Sequence, residues 1–215
     1  MALLGKKKVA DLGRLPLSEL RKRTRILVID DDENSFPFTI LRNEGYAIDH
    51  WPRVQALGPL ESGQYDIIVL DIQGVAQQYS ADDGLGILEH IKQANPSQIV
   101  VAFSGHSYDL SKNRFWRLAD DSLGKPVDAT RCKRLIDNLI ESKMTPEHYW
   151  SAVVDLLQRQ GVAPKQIAKI EDKVARALAK KDCQAVSDTL KRVVDNAEIG
   201  VRVVGIACKI AALFV

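Results

Sequence analysis

The sequence predicts an α/β fold, a doubly wound sheet of five parallel strands, followed by an all-α segment. Short β-branched apolar runs without polar alternation call for strands buried on both faces. Each run is followed by a longer stretch with helical spacing, so the order from Arg25 onward is strand then helix five times over. After residue 141 the strand signal stops and only helical spacing remains.

Taken in order, 25–29 is the first strand, followed by a helix through Phe38, Ile40 and Leu41 that stops at Gly45. Residues 47–50 form a weaker second strand. A short helix through Val54 and Leu57, disturbed by Pro59, leads to the third strand at 66–70. A helix from Gly84 through Leu85, Leu88 and Ile91 precedes the fourth strand at 99–103. A helix near Leu110 to Leu118 and a short fifth strand at 122–124 come next. The last helix of this set carries Cys132, Leu135, Ile136, Leu139 and Ile140.

The 215 residues, 46% hydrophobic and 27% charged, suffice for one full core and a smaller appendage. Three segments are expected: a basic N-terminal extension at 1–24, an α/β domain at 25–141 and a helical segment at 142–215. The net charge of +2 conceals excesses of five positive, seven negative and four positive charges in these segments. An acidic middle suits a cation site, and basic ends suit acidic partners or plain solvation. Cys132, Cys183 and Cys208 are far apart in sequence and match no metal-ligand spacing, so neither a disulfide framework nor a zinc site is indicated. His50, His90, His106 and His148 are equally scattered. The start lacks the long apolar stretch of a secretory signal, which gives a cytoplasmic location as the expectation.

In a parallel sheet of this kind, ligands bind at the carboxyl ends of the strands, where the strand order reverses. Asp30-Asp31-Asp32 follows the first strand, Asp71 the third, Ser104 the fourth and Lys125 the fifth. Adjacent carboxylates repel one another, and a hard cation relieves the repulsion; Mg²⁺ suits a site of carboxylate, water and phosphate oxygens. Beside such an ion Asp71 can act as a nucleophile toward phosphorus. Lys125 then offers a point charge to the phosphoryl oxygens and Ser104 a hydroxyl donor. Taken singly, these residues would be ordinary turn, cap or solvated positions; their joint placement after successive strands carries the assignment.

These residues resemble the receiver domain of bacterial response regulators over roughly 24–141. The motifs are Ile26-Leu-Val-Ile-Asp-Asp-Asp32, Tyr65-Asp-Ile-Ile-Val-Leu-Asp71, Asp83-Gly-Leu-Gly-Ile-Leu88, Val101-Ala-Phe-Ser-Gly105 and Ala119-Asp-Asp-Ser-Leu-Gly-Lys-Pro126. The resemblance implies a flavodoxin-like, CheY-like fold and a cytoplasmic two-component phosphoprotein rather than an enzyme in the ordinary sense. It makes Asp71 the phosphoacceptor, with Ser104 and Lys125 assisting. It makes Asp30, Asp31, Asp71 and the backbone carbonyl of Gln73 the Mg²⁺ ligands. The implied donor is a phosphohistidine on a histidine kinase or phosphotransfer protein. Asp32 receives no role. The loop at 73–82 is longer than the family's and either a flap, a partner contact or a plain insertion. Ser122 stands where the family often has an aromatic residue, so signalling is expected to run through the loops at 73–82 and 105–111 instead.

At the N-terminus, Lys6-Lys-Lys8 and Arg21-Lys-Arg23 read as solvated surface around a short helix near Ser18. In the C-terminal segment, Thr145-Pro146 opens a helix with Val153, Val154, Leu156 and Leu157. Pro164 opens a second helix with Ile167, Ile170, Val174 and Leu178, and a third carries Val186, Leu190, Val193 and Val194. The nearly all-apolar stretch at 199–215 is read as a core or oligomer-interface helix, with a membrane-associated helix as the second reading. The segment is therefore expected to mediate homo-oligomerisation or protein association. The alternatives are a DNA-binding output through the basic helices of 164–192 or a membrane-associated effector. A phosphatase-type use of Asp71 would want a second acid where Gln73 stands.

Overall fold

The computed structural model describes residues 7–105 and 113–214. Expectations concerning Lys6, His106, the loop at 106–111 and the start of the helix near Leu110 lie outside the described residues. Contacts divide the chain into two compact units, Leu17–Lys143 and a second formed by Met1–Pro16 with Met144–Val215. The expected N-terminal extension is thus divided between them.

The first unit is a five-stranded, all-parallel sheet with the order β2-β1-β3-β4-β5. The strands are β1 (Arg25–Ile29), β2 (Ala47–Trp51), β3 (Ile67–Asp71), β4 (Ile99–Ser104) and β5 (Asp121–Gly124). Every residue of β3 and β4 is buried, whereas the edge strands β2 and β5 expose several positions each. Burial on both faces explains why the central strands read as unbroken apolar runs and the edges as weak ones. On one layer α1 (Leu17–Arg23) and α2 (Phe38–Asn43) pack against α6 (Ala129–Lys143). On the other, α4 (Gly84–Ala94) packs against both α3 (Gly58–Glu61) and α5 (Asn113–Leu118).

Two local expectations need correction. The third helix does not run through Val54 and Leu57; it begins at Gly58, and Pro59 sits in its first turn, where the missing N–H costs nothing. Val54 instead donates its backbone N–H to the Val75 carbonyl at 2.8 Å, binding the segment after β2 to the one after β3. Nor is the second basic run free surface. Arg21 makes a bidentate pair with Asp137 at 3.0 and 2.9 Å, and the Tyr46 hydroxyl and Lys133 ammonium donate to the same carboxylate at 2.6 and 3.1 Å. One acid on α6 thereby holds α1.

The second unit is α-helical: α7 (Pro146–Arg159), α8 (Pro164–Ala179), α9 (Cys183–Lys191) and α10 (Ala197–Ala212). Thr145 caps α7 by accepting the His148 N–H, and Asp182 and Asn196 cap α9 and α10 in the same way. The third helix stops before Val193. Among the described residues of 199–215, the ground for expecting an association module, most large apolar side chains are buried or half-buried within the unit. Val203, Ile206, Ala207 and Ile210 of α10 are buried, and Val201 is the single large hydrophobic of the described helical unit that is markedly exposed, at 65%. Among the described residues no helix is long and apolar enough to cross a membrane. The first basic run is also partly engaged. The Lys7 N–H donates to Asp172 and the Val9 N–H to Glu171, both on α8, while Val9 itself is fully buried.

The strand that carries Lys125 is anchored at the sheet's amino end by Asp120. Its carboxylate accepts from Lys92 Nζ at 2.5 Å and from the Val100 N–H at 2.9 Å, with Lys143 Nζ at 3.4 Å. Burial works to raise the Asp120 pKa, but the adjacent ammoniums and the N–H outweigh it and hold the carboxyl below its ordinary range. The same burial presses the Lys92 pKa down, so the pair gains less than its short distance suggests. A depressed carboxyl pKa contributes stability above the unfolded value of about 4, and that contribution is lost as pH falls through the lower folded value. Asp120→Asn is expected to cost about 2–4 kcal/mol in urea unfolding at neutral pH, leaving Lys92 without its carboxylate. The difference from wild type should shrink below about pH 4.

Candidate functional site

The chain leaves β1 for β2 on one side and then crosses to β3 on the other, so a crevice opens between the carboxyl ends of β1 and β3. Asp30 lies directly after β1 and is fully buried, Asp71 is the last residue of β3 and 7% exposed, and Asp31 is exposed at the rim. Ligand oxygens of Asp30, Asp31 and Asp71 all lie within 4.8 Å of one another. The Lys125 ammonium, arriving from the end of β5, bridges Asp30 Oδ2 at 2.7 Å and Asp71 Oδ2 at 2.5 Å. It also stands 4.8 Å from the centre of the Phe103 ring. Ser104, at the end of β4, is buried and sits opposite Gly124 in the sheet, and its carbonyl accepts the Lys125 N–H at 2.9 Å.

Each carboxylate has its own support. Asp30 Oδ2 accepts the Ser35 hydroxyl at 2.7 Å, Oδ1 accepts the Asp32 N–H at 2.9 Å, and the Asp30 carbonyl meets His50 Nε2 at 2.7 Å. Asp71 Oδ1 accepts the Gln73 N–H at 3.2 Å. Burial raises the Asp71 pKa above the usual carboxylate range, with the Asp30 charge adding to it and Lys125 opposing it. Burial would lower the Lys125 pKa, yet hydrogen bonds to Asp30 and Asp71 outweigh it and raise it. A lysine shared by two carboxylates stays charged, and a buried carboxyl beside another anion ionises less readily.

Four residues acquire roles that the sequence did not disclose. Asp32, the acid left without a role, accepts the Asn34 N–H at 2.9 Å and shapes the turn after β1. Asp83 accepts the N–H groups of Gly74 at 2.5 Å and Ala76 at 2.6 Å, so it folds the long loop back on itself. An acid immediately before a helical glycine was the available signal. His50 and Ser35 had none, because each is defined by its contact with Asp30. The loop at 73–82 is no free flap: Val75 and Ala76 are buried, Gln78 Nε2 donates to the Val54 carbonyl at 2.7 Å, and the Tyr79 hydroxyl donates to the Gln55 carbonyl at 3.0 Å. Ser122 is an exposed position of β5.

No family model matches the chain. A curated relative, the NtrX-like response regulator of Rickettsia bellii, is 32% identical over 124 residues, a match covering 54% of this chain and 24% of the relative. The α/β unit is a response-regulator receiver domain. The chain spans about a quarter of the length of that relative. Among solved structures, the receiver domain of NtrX from Brucella abortus is 30% identical, covers 54% of this chain and 98% of its own, and has a TM-score of 0.46. The response regulator TrrA from Thermotoga maritima, solved with Mg²⁺ and BeF, is 28% identical with the same coverages and a TM-score of 0.46.

The receiver places a glycine where backbone must touch backbone. A Cβ at Gly84 would collide with the Asp71 carbonyl oxygen and the Ile72 backbone, neither of which can turn aside. Gly84→Ala is therefore expected to cost about 1–3 kcal/mol in chemical unfolding. A stability equal to wild type would show that the backbone after β3 yields freely.

Proposed function

We propose that the chain is a two-component response regulator that accepts a phosphoryl group on Asp71 from a phosphohistidine of a partner kinase or phosphotransfer protein, in a Mg²⁺-dependent reaction. The observation that carries this is the convergence of Asp30, Asp31 and Asp71 around the Lys125 ammonium at the carboxyl ends of the strands. Three carboxylates against one ammonium leave two negative charges, all the donors are hard oxygens, and Asp31 opens the cluster to solvent. That donor set fits Mg²⁺, with Asp30, Asp31, Asp71 and the Gln73 carbonyl as the groups that would hold it. Bound there, the ion would neutralise phosphoryl oxygen charge.

The protein's own groups do the rest. An Asp71 carboxylate oxygen forms the new O–P bond as the P–N bond of the donor breaks and its imidazole leaves. Lys125, already hydrogen-bonded to Asp71, lies within reach of a phosphoryl oxygen on that residue, and the Ser104 hydroxyl would donate to another. With Mg²⁺ and acetyl phosphate, intact-mass spectrometry should find one phosphoryl group on the wild type and none on Asp71→Ala, and a chelator should abolish labelling. Equal labelling of both proteins would reject the assignment. Mg²⁺ at about one hundred times its dissociation constant should add about 2.7 kcal/mol to wild-type stability. Asp31→Asn should diminish that gain.

A second reading concerns the helical unit. Lys165, Lys169, Lys173, Arg176 and Lys180 recur at three- and four-residue spacing along α8 and its C-cap, and all are exposed. Of that helix's acids, Glu171 and Asp172 accept backbone N–H groups of residues 7–9, and Asp172 also pairs with Arg176 at 3.1 Å, which leaves four lysines of the stripe. Such a stripe favours a polyanion such as duplex DNA over an apolar partner. It predicts a shift on generic duplex that weakens steeply with salt. A salt-independent dimer in light scattering, without any shift, would favour the association module instead.

A further inference from the structure

Asp83 stands at the N-cap of α4 and puts its carboxylate to a use other than capping. An aspartate in that place ordinarily accepts an N–H of the helix's first turn, and Asp83 makes no such bond. Its two oxygens reach instead to the loop after Asp71, accepting the N–H groups of Gly74 and Ala76 at 2.5 and 2.6 Å. Its backbone has φ of +51° and ψ of −128°, a conformation that a residue with a Cβ adopts at a cost. The next residue fixes it in place: Gly84 donates its N–H to the Ile72 carbonyl at 3.2 Å and lies against the Asp71 backbone. Both peptide units of Gln73 are thus held, its own N–H by Asp71 Oδ1 at 3.2 Å and the following Gly74 N–H by Asp83. The Gln73–Gly74 peptide is trans, so the Gln73 carbonyl points away from the Gly74 N–H and hence away from Asp83. Gly74 borders the site, since a Cβ on it would stand 3.3 Å from Asp31 Oδ2. Asp83 is not one of the three clustered acids.

We propose that Asp83 is a positioning residue for the phosphorylation site: by holding the Gly74 N–H it sets the direction of the Gln73 carbonyl, and so raises the site's affinity for Mg²⁺. The inference rests on the reading of Asp30, Asp31, Asp71 and the Gln73 carbonyl as the groups that hold the ion. Mg²⁺ demands near-ideal octahedral geometry, so a carbonyl on a loop serves it well only when its direction is fixed beforehand. Gln73 and Gly74 are exposed, which leaves hydrogen bonds rather than packing to fix that peptide. Without Asp83 the peptide would be ordered only on binding, and the lost freedom would subtract from affinity. The ties of Gln78 and Tyr79 to the carbonyls of Val54 and Gln55 lie farther along the same loop. They anchor the loop without touching the Gln73–Gly74 peptide, which separates the restraint of the loop from the aim of the carbonyl.

Calorimetric titration of the full chain with Mg²⁺ alone should give Asp83→Ala a dissociation constant about 10–100-fold above that of the wild type. Asp83→Asn keeps the shape and one acceptor oxygen, so it should fall between the two, and it carries the test where the alanine variant fails to fold. Tyr79→Phe, which removes another tie of the same loop, should bind Mg²⁺ as the wild type does. With acetyl phosphate, an excess of Mg²⁺ should restore labelling of Asp71 in the Asp83 variants, as expected for a residue that acts through the ion's affinity. Wild-type affinity in the Asp83 variants, an equal loss in Tyr79→Phe, or labelling that excess Mg²⁺ does not restore would overturn the positioning role and leave the reading of the site standing. A wild type that binds no Mg²⁺ would overturn both.

Discussion

The receiver is organised around an electrostatic problem at one end of its sheet. Two carboxylates from neighbouring strands, Asp30 and Asp71, are pressed together in a largely buried crevice with a third, Asp31, at the mouth. One ammonium, Lys125, is brought in from the edge strand to separate them. The geometry of β1, β3, β4 and β5 converges on holding that ammonium in place. Phe103 underlies it and the Ser104 carbonyl fixes its backbone. Because one cation cannot satisfy three anions, the site retains an appetite for positive charge. That unmet charge, rather than any single residue, distinguishes the crevice.

The opposite end of the sheet shows how the same residue types behave when the charges are balanced. Asp120 faces two lysines and an amide N–H. Its pKa falls whereas that of Asp71 rises, though burial pushes upward in both cases. The difference lies in the company each carboxylate keeps. Asp120 fastens the beginning of β5 and Lys125 sits at the strand's end, so four residues of edge strand join the two ion pairs.

The fold was legible because burial writes itself into composition. β3 and β4 are fully covered and so are unbroken apolar runs in the sequence. The site residues could be named because each stands next to such a run. What remained hidden depends on contacts between distant segments. In the sequence Pro59 reads as interrupting a helix that it in fact helps to begin, and Val54 reads as part of that helix although its N–H belongs to Val75. The basic runs at the N-terminus gave no sign that Arg21 would find Asp137 or that Lys7 would meet α8.

The loop after Asp71 has a bearing on who can approach it. Gly74, with φ of +81°, brings this loop to the rim of the site, where a Cβ would stand 3.3 Å from Asp31 Oδ2. Asp83 draws the loop inward, while Gln78 and Tyr79 tie it to the carbonyls of Val54 and Gln55. Its conformational entropy is thus surrendered when the chain folds and not when a partner arrives. A preformed shelf of this sort sorts visitors by shape on first encounter. Proteins contoured for a shorter loop would collide with it, while one contoured for this loop would dock without waiting for the shelf to form.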